Sequence, residues 1–276
     1  MTTRFGVLGP VRVWRDDTEI DPGPRPVRLI LGLLLARSGR PVRTDEIIDL
    51  LWCGDPPGNA AELVAGHLNA LNRQVIPGLL RHGPGGHRLP TGGLAVDLAA
   101  FRQAVARAEG HGARGEVAQA VAGYLEALHH WTGRCGAGLE PTAALHPAFV
   151  AVDLERSSAA CAMAENALAA EVSDEVVKAL RIAVELDPLD EDLQQSMLLI
   201  LAARGRATEA IEGFHSYQRR LAETAGISPG RRITERYSAL VREAARTGSP
   251  PMPPDVLRRT GRPVRCGGGG AGRCVT

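Results

Sequence analysis

No apolar run in this 276-residue sequence approaches the roughly 18–20 residues that a bilayer-crossing helix needs, the longest being Leu29 to Ala36. An apolar helical span is therefore excluded. The opening MTTRFGVLGP lacks the apolar stretch of a secretory signal. The five cysteines, Cys53, Cys135, Cys161, Cys266 and Cys274, are odd in number and show no C-x-x-C spacing. A reducing, cytoplasmic compartment is the expectation. Lysine is all but missing, Lys178 standing alone among 32 basic residues, which points to a GC-rich coding sequence and to no particular function. There is no G-x-S-x-G, no H-E-x-x-H and no catalytic cysteine context. Gly267 to Gly270 lacks the Lys-Ser/Thr of a phosphate loop. The chain is not expected to be an enzyme.

What is present suits two jobs. A hydrophobic content of 44% can build a real core, and the length fits about two domains. The net charge of +1 conceals an uneven distribution, with residues 1–90 at +2, 91–247 at −5 and 248–276 at +4. These segments are expected to meet different partners. A surplus of +2 is small for a nucleic-acid-binding region, so the placement of charge matters more than its sum.

Along residues 4–21, Phe5, Val7, Val11 and Val13 share one side, with a break at Gly9-Pro10 and a polar turn at Asp16-Asp17. This alternation predicts a small antiparallel sheet. Val27 to Arg37 carries an apolar face and stops at Ser38-Gly39, which predicts a first helix. Thr44 as N-cap, with Asp45 and Glu46 in the first turn, predicts a second helix over 45–52. Cys53 to Gly58 breaks that pattern, and Asn59 with Glu62 has the spacing of a capping box. The third helix that follows buries Val64, Leu68, Leu71 and Val75 and turns Glu62, Gly66, Asn69, Asn72 and Arg73 outward. Residues 79–89 read as a hairpin around Gly83-Pro84-Gly85-Gly86, flanked by His82, His87 and Arg88.

From Asp97 onward the pattern is helical. Gly205 to Phe214 has the small-residue and aromatic spacing of a tetratricopeptide hairpin. One 34-residue period earlier, Val176 and Leu180 take the places of Ala210 and Phe214, and Gly115, Ala120, Tyr124 and Ala127 form a weaker echo. Stacked helical hairpins are the expectation. His129 and His130 point about 100° apart on a helix, which disfavours a shared metal. Asp187, Asp190, Glu191 and Asp192 lack calcium-loop spacing and suit a helix start. Nothing in these patterns favours a small-molecule sensor. The composition of 248–276, with SPPMPP and GGGGAG, predicts a disordered tail.

Sheet, three helices and basic hairpin, in that order, resemble the OmpR-type winged helix. The strings FGVLGPVRV, GPRPVRLILGLLLARSGRPV, DEIIDLLWCGDPP, GGHRL, YLEALHHWTG and LAETAGISPG together resemble the SARP family over about residues 4–245. These are pathway-specific activators of antibiotic biosynthesis in actinomycetes. The resemblance implies a mainly α protein with a winged helix-turn-helix over 1–95, small antiparallel sheets included, and an all-α, tetratricopeptide-like bacterial transcriptional activation domain over 96–247. It further implies binding to double-stranded DNA at promoter direct repeats, two protomers side by side, recruitment of RNA polymerase holoenzyme through its sigma, alpha or beta subunits, and no cofactor. The recognition helix departs from the family pattern: Ala61 stands where an arginine is usual, and Asn72-Arg73 where a basic pair is usual.

In that frame Asn69, Asn72 and Arg73 are the candidates for base contact, because Asn pairs with adenine and Arg with guanine through two hydrogen bonds each. Arg25, Arg28, Arg43, the amides of 44–46 beginning at Thr44, His87 and Arg88 are the candidates for phosphate. An alternative reading, resting on Ala61, Glu62 and Asn72, is a protein-interaction scaffold whose winged helix no longer reads DNA.

Overall fold

The protein is seen in a computed structural model that describes residues 3–246. The tail expected over 248–276 lies outside the described residues. Its N-terminal part begins with strands β1 (Thr3–Gly6), β2 (Arg12–Arg15) and β3 (Thr18–Ile20), paired antiparallel with Phe5 opposite Val13 and Val13 opposite Ile20. Asp16 and Asp17 both take positive φ (47° and 65°), so the β2–β3 turn is of the kind whose twist matches that of its strands. A short strand β6 (Ala95–Val96) adds to β1 in parallel, a pairing not read from the alternation of residues 4–21.

Helix α1 (Arg25–Ala36) starts two residues before the predicted Val27, because Pro26 is tolerated in a first helical turn. Leu29, Ile30, Leu31, Leu33, Leu34 and Leu35 are each at most 1% exposed, so α1 is enclosed on nearly every side. Burying each such side chain contributes about 1.5–3 kcal/mol. Gly32 allows this crowding: a Cβ there would sit 3.0 Å from Val11 and 3.1 Å from Phe149.

Helix α2 (Thr44–Trp52) is capped by position, but not by side chain. The cap falls on Arg43, and Thr44 is the first helical residue, which corrects the expected Thr44 cap. Helix α3 (Ala60–Ala70) follows, and Leu71–Val75 continues it as one wide π-helical turn. Asn59 is its cap residue, yet its side chain makes no capping bond. With φ −103° and ψ 22°, it lacks the extended backbone that aims a capping side chain. Val64, Leu68, Leu71 and Val75 are all buried, as the stripe predicted. The wing is β4 (Arg81–Gly83) paired with β5 (Gly86–Arg88).

The rest is helical: α4 (Asp97–Ala113), α5 (Val117–His129), the short α6 (Thr142–Leu145), α7 (Pro147–Ala169), α8 (Asp174–Leu186), α9 (Glu191–Ala203), α10 (Ala207–Ala225) and α11 (Arg231–Arg246). Ser173 caps α8 by accepting the Val176 amide, and Asp190 caps α9 by accepting those of Asp192 and Leu193. Asp190, Glu191 and Asp192 thus serve as a helix start, as expected, while Asp187, at the end of α8, pairs with Arg134 and Arg156. Val176, Leu180, Ala210 and Phe214 are buried at equivalent places in their hairpins.

One apolar core joins the two parts, from Phe5 through the α1 leucines to Phe101, Phe149 and Ile233. Backbone bonds stitch the seam: Thr132 N donates to Leu8 O at 2.8 Å and Gly136 N to Val7 O at 3.1 Å. The Asp97 carboxylate accepts the amides of Val7 and Leu8. Mainly α architecture with small N-terminal sheets is what the sequence implied.

Candidate nucleic-acid interface

The outer face of α3 carries Ala61, Glu62, Ala65, Gly66, Asn69 and, on the wide turn, Arg73, all exposed. Asn69 and Arg73 can each offer a forked set of polar atoms to a base edge. Asn72 is placed differently. It is half-buried, and its Oδ1 accepts the Leu80 amide at 3.3 Å, so it fastens the turn that extends α3 to the approach of the wing. Arg15 reinforces that joint by donating to the Val75 carbonyl at 3.2 Å.

The wing is held against the segment before α2. Val42 N donates to His87 O at 2.7 Å, and His87 N to Val42 O at 2.8 Å. Gly86 makes the approach possible: its φ is +112°, and a Cβ would lie 2.2 Å from the Val42 carbonyl oxygen. Thr44 Oγ1 lies 3.4 Å from His87 Nε2. The expected residues Arg43, Thr44, His87 and Arg88 are thereby gathered around one joint.

Their electrostatics differ. Arg43 forms a two-pronged pair with Asp45, which raises its pKa, lowers that of Asp45 and already matches part of the Arg43 charge. Asp45 also accepts the Glu46 amide, so one donor of the α2 N-terminus is spent. His87 is held below its usual pKa, first by burial and then by His82, whose ring lies 4.6 Å away. Among the described residues, no carboxylate pairs with Arg28, Arg73 or Arg88. All three are exposed.

Arg25 stands apart. Its guanidinium donates to the carbonyls of Leu139 (3.1 Å) and Glu140 (3.2 Å) and to Thr142 Oγ1 (3.2 Å), so this side chain is committed to the seam. A group that sequence reasoning passed over is Arg81, which pairs directly across the hairpin from Arg88. The signal was available, because a turn closed by Gly83 and Gly86 sets 81 opposite 88. Among the described residues, no three His, Cys, Asp or Glu side chains gather as a metal site. No helix of the described residues is long and apolar enough to cross a membrane.

Residues 96–241 match the model of the bacterial transcriptional activator domain. The chain is 32% identical over 229 residues to the regulatory protein AfsR of Streptomyces coelicolor, covering 82% of this chain and 23% of that protein. It is 26% identical over 233 residues to the transcriptional regulatory protein EmbR of Mycobacterium tuberculosis, covering 82% and 60%. It is 23% identical over 250 residues to the regulatory protein DnrI of Streptomyces peucetius, covering 87% and 92%. The chain thus spans about a quarter of the length of AfsR. The solved structure of Mycobacterium tuberculosis EmbR in complex with a low affinity phosphopeptide has the same fold, with a TM-score of 0.68 and 24% identity over 87% of this chain and 65% of that one.

Proposed function

This chain belongs to the SARP family of transcriptional regulators, built around the bacterial transcriptional activator domain, and from that premise we propose that it is a DNA-binding activator. The observation that carries the reading is the pairing of one exposed helix face with one basic hairpin. Helix α3 presents Asn69 and Arg73, and the wing, fastened to it through Asn72 and Leu80, presents Arg81 and Arg88. In winged-helix docking such a helix lies in the major groove and the hairpin grips the flanking backbone. Asn69 and Arg73 then read base edges, while Arg28, Arg43, Thr44, His87, Arg81 and Arg88 hold phosphates. Arg25 and Asn72 serve the architecture of the site instead.

The proposed targets are promoter direct repeats of a secondary-metabolite gene cluster, each repeat held by one of two adjacent protomers. Residues 96–247 recruit RNA polymerase holoenzyme, and the chemistry of transcription stays in the polymerase. Selection of the full chain on random duplex DNA, followed by footprinting of the enriched sequence, tests the reading. Enrichment of a direct repeat supports it. Failure to enrich any sequence favours the scaffold reading, for which the exposed Glu62 and the engaged Asn72 speak.

A further inference from the structure

Strand alternation sends Phe5 and Val13 into the core and leaves Arg4, Gly6, Arg12 and Trp14 together on the outer face of the N-terminal sheet. Across the strands Arg4 stands opposite Trp14, and Gly6 opposite Arg12. Between this face and α4 lies a groove of about 540 Å³, whose helix side is formed by Ala99, Ala100 and Gln103. The half-buried Trp14 gives it an aromatic surface, with the Arg4 and Arg12 guanidiniums 4.5 and 5.1 Å from the ring centroid. Gly6 lets the ring lie close to β1, since a Cβ there would stand 3.2 Å from it.

The free charge in this groove is positive. Arg4 is exposed and, among the described residues, pairs with no carboxylate. Arg12 gives Nε and Nη2 to Glu19, at 2.8 and 2.5 Å, and keeps Nη1. The Asp97 carboxylate in the wall is spent on the amides of Val7, Leu8 and Leu98. The three residues that α4 contributes beyond it are small or neutral, so nothing on the helix side answers Arg4.

We propose that this groove docks an acidic peptide segment of a partner protein, with its carboxylates on Arg4 and Arg12 and an apolar side chain against Trp14. Complementarity of charge selects the acid, and a tryptophan flanked by arginines is the composition of protein-binding hot spots. A lone small anion gains little here, because exposed ion pairs are weak singly and affinity requires the ring and both guanidiniums at once. The proposed DNA face lies across the sheet: Arg15, which alternation sends to the other side of β2, reaches the Val75 carbonyl in the turn that extends α3. Docking in this groove therefore does not depend on the reading of α3 and the wing.

The test titrates the full chain into a short fluorescein-labelled peptide of alternating glutamate and phenylalanine and follows anisotropy. Saturable binding is expected, at least tenfold tighter than to the same peptide with glutamine in place of glutamate. Arg4→Glu, at an exposed side chain, lowers affinity at least tenfold, and Trp14→Leu lowers it several-fold. Absence of saturable binding, equal affinity for the glutamine peptide, or affinity untouched by Arg4→Glu overturns the proposal. Since Trp14→Leu can fail to fold, alanine in place of phenylalanine in the peptide tests the ring contact on the unaltered chain, with a several-fold loss expected and none overturning that contact. Excess random duplex DNA is expected to leave the peptide bound; displacement by the duplex would make the groove a nucleic-acid surface and overturn the assignment to a protein partner.

Discussion

Both oxygens of the Asp97 carboxylate accept the backbone amide of Val7, at 2.8 and 3.0 Å, across 90 residues of sequence. The same group takes the amides of Leu8 at 2.9 Å and Leu98 at 2.7 Å. Residue 97 opens α4, so this one side chain fixes the first helix of the helical part to the segment that directly follows the first strand of the sheet. Burial raises its pKa even as these amides act against that rise. Asp97→Ala strands the Val7 and Leu8 donors, and the penalty for unsatisfied buried groups sets the loss at about 2 kcal/mol. Thermal unfolding should show a Tm lower by roughly 4–8 °C for a protein of this size. A change of less than a degree would contradict this account of the seam.

Arg73 and Arg88 are assigned different work, and binding data separate them. Arg73→Ala should relax preference at one base position at a loss of about 1–3 kcal/mol, whereas Arg88→Ala should weaken specific and random DNA alike. Competition titrations with both kinds of duplex measure this. Equal losses on both duplexes for both variants refute the division.

Glu62 is an exposed acid in the first turn of α3, on the face proposed to meet DNA. A charge pair at about 4 Å in water is worth roughly 1 kcal/mol, so removing like-sign repulsion with phosphate has that scale. Glu62→Gln should tighten binding by about threefold to fivefold in a fluorescence-anisotropy titration. Weaker binding with lost preference at a cytosine would show instead that Glu62 reads the cytosine amino group.

The wing adds a pH dependence. Free of DNA, His87 sits below its usual pKa of 6.5, and a nearby phosphate favours the charged ring and raises that value. The bound state then takes up a proton that the free state does not hold. Affinity should increase as pH falls through the bound-state pKa and level off below the lower, free-state one. Anisotropy between pH 7.5 and pH 5.5 checks this, with His87→Gln expected to flatten the profile. A profile identical in both proteins would remove His87 from the interface.

Much of this was legible from local pattern. The α1 leucines, the α3 stripe, the Asp16-Asp17 turn, the Gly83–Gly86 hairpin and the Ala210–Phe214 spacing all report contacts between near neighbours, which periodicity encodes. What escaped is long-range. The parallel pairing of β6 with β1, the grip of Arg25 on Leu139 and Glu140, and the burial of Arg156 beside Trp131 depend on residues far apart in the chain. Side-chain commitment was equally hidden: Asn72 looks like a base reader on a helical wheel, but its oxygen belongs to Leu80. Thr44 failed as a cap because the helix starts one residue early and its hydroxyl faces the wing histidine.

The most direct measurement of the central claim is the salt dependence of DNA affinity for the unaltered chain and for Arg88→Ala. With Arg28, Arg43, Arg81 and Arg88 on phosphates, log affinity should fall with log salt at a slope of about −3 to −4 per protomer, and Arg88→Ala should lessen that slope by about 1. A slope near zero, or one untouched by Arg88→Ala, would mean that this face does not hold the DNA backbone.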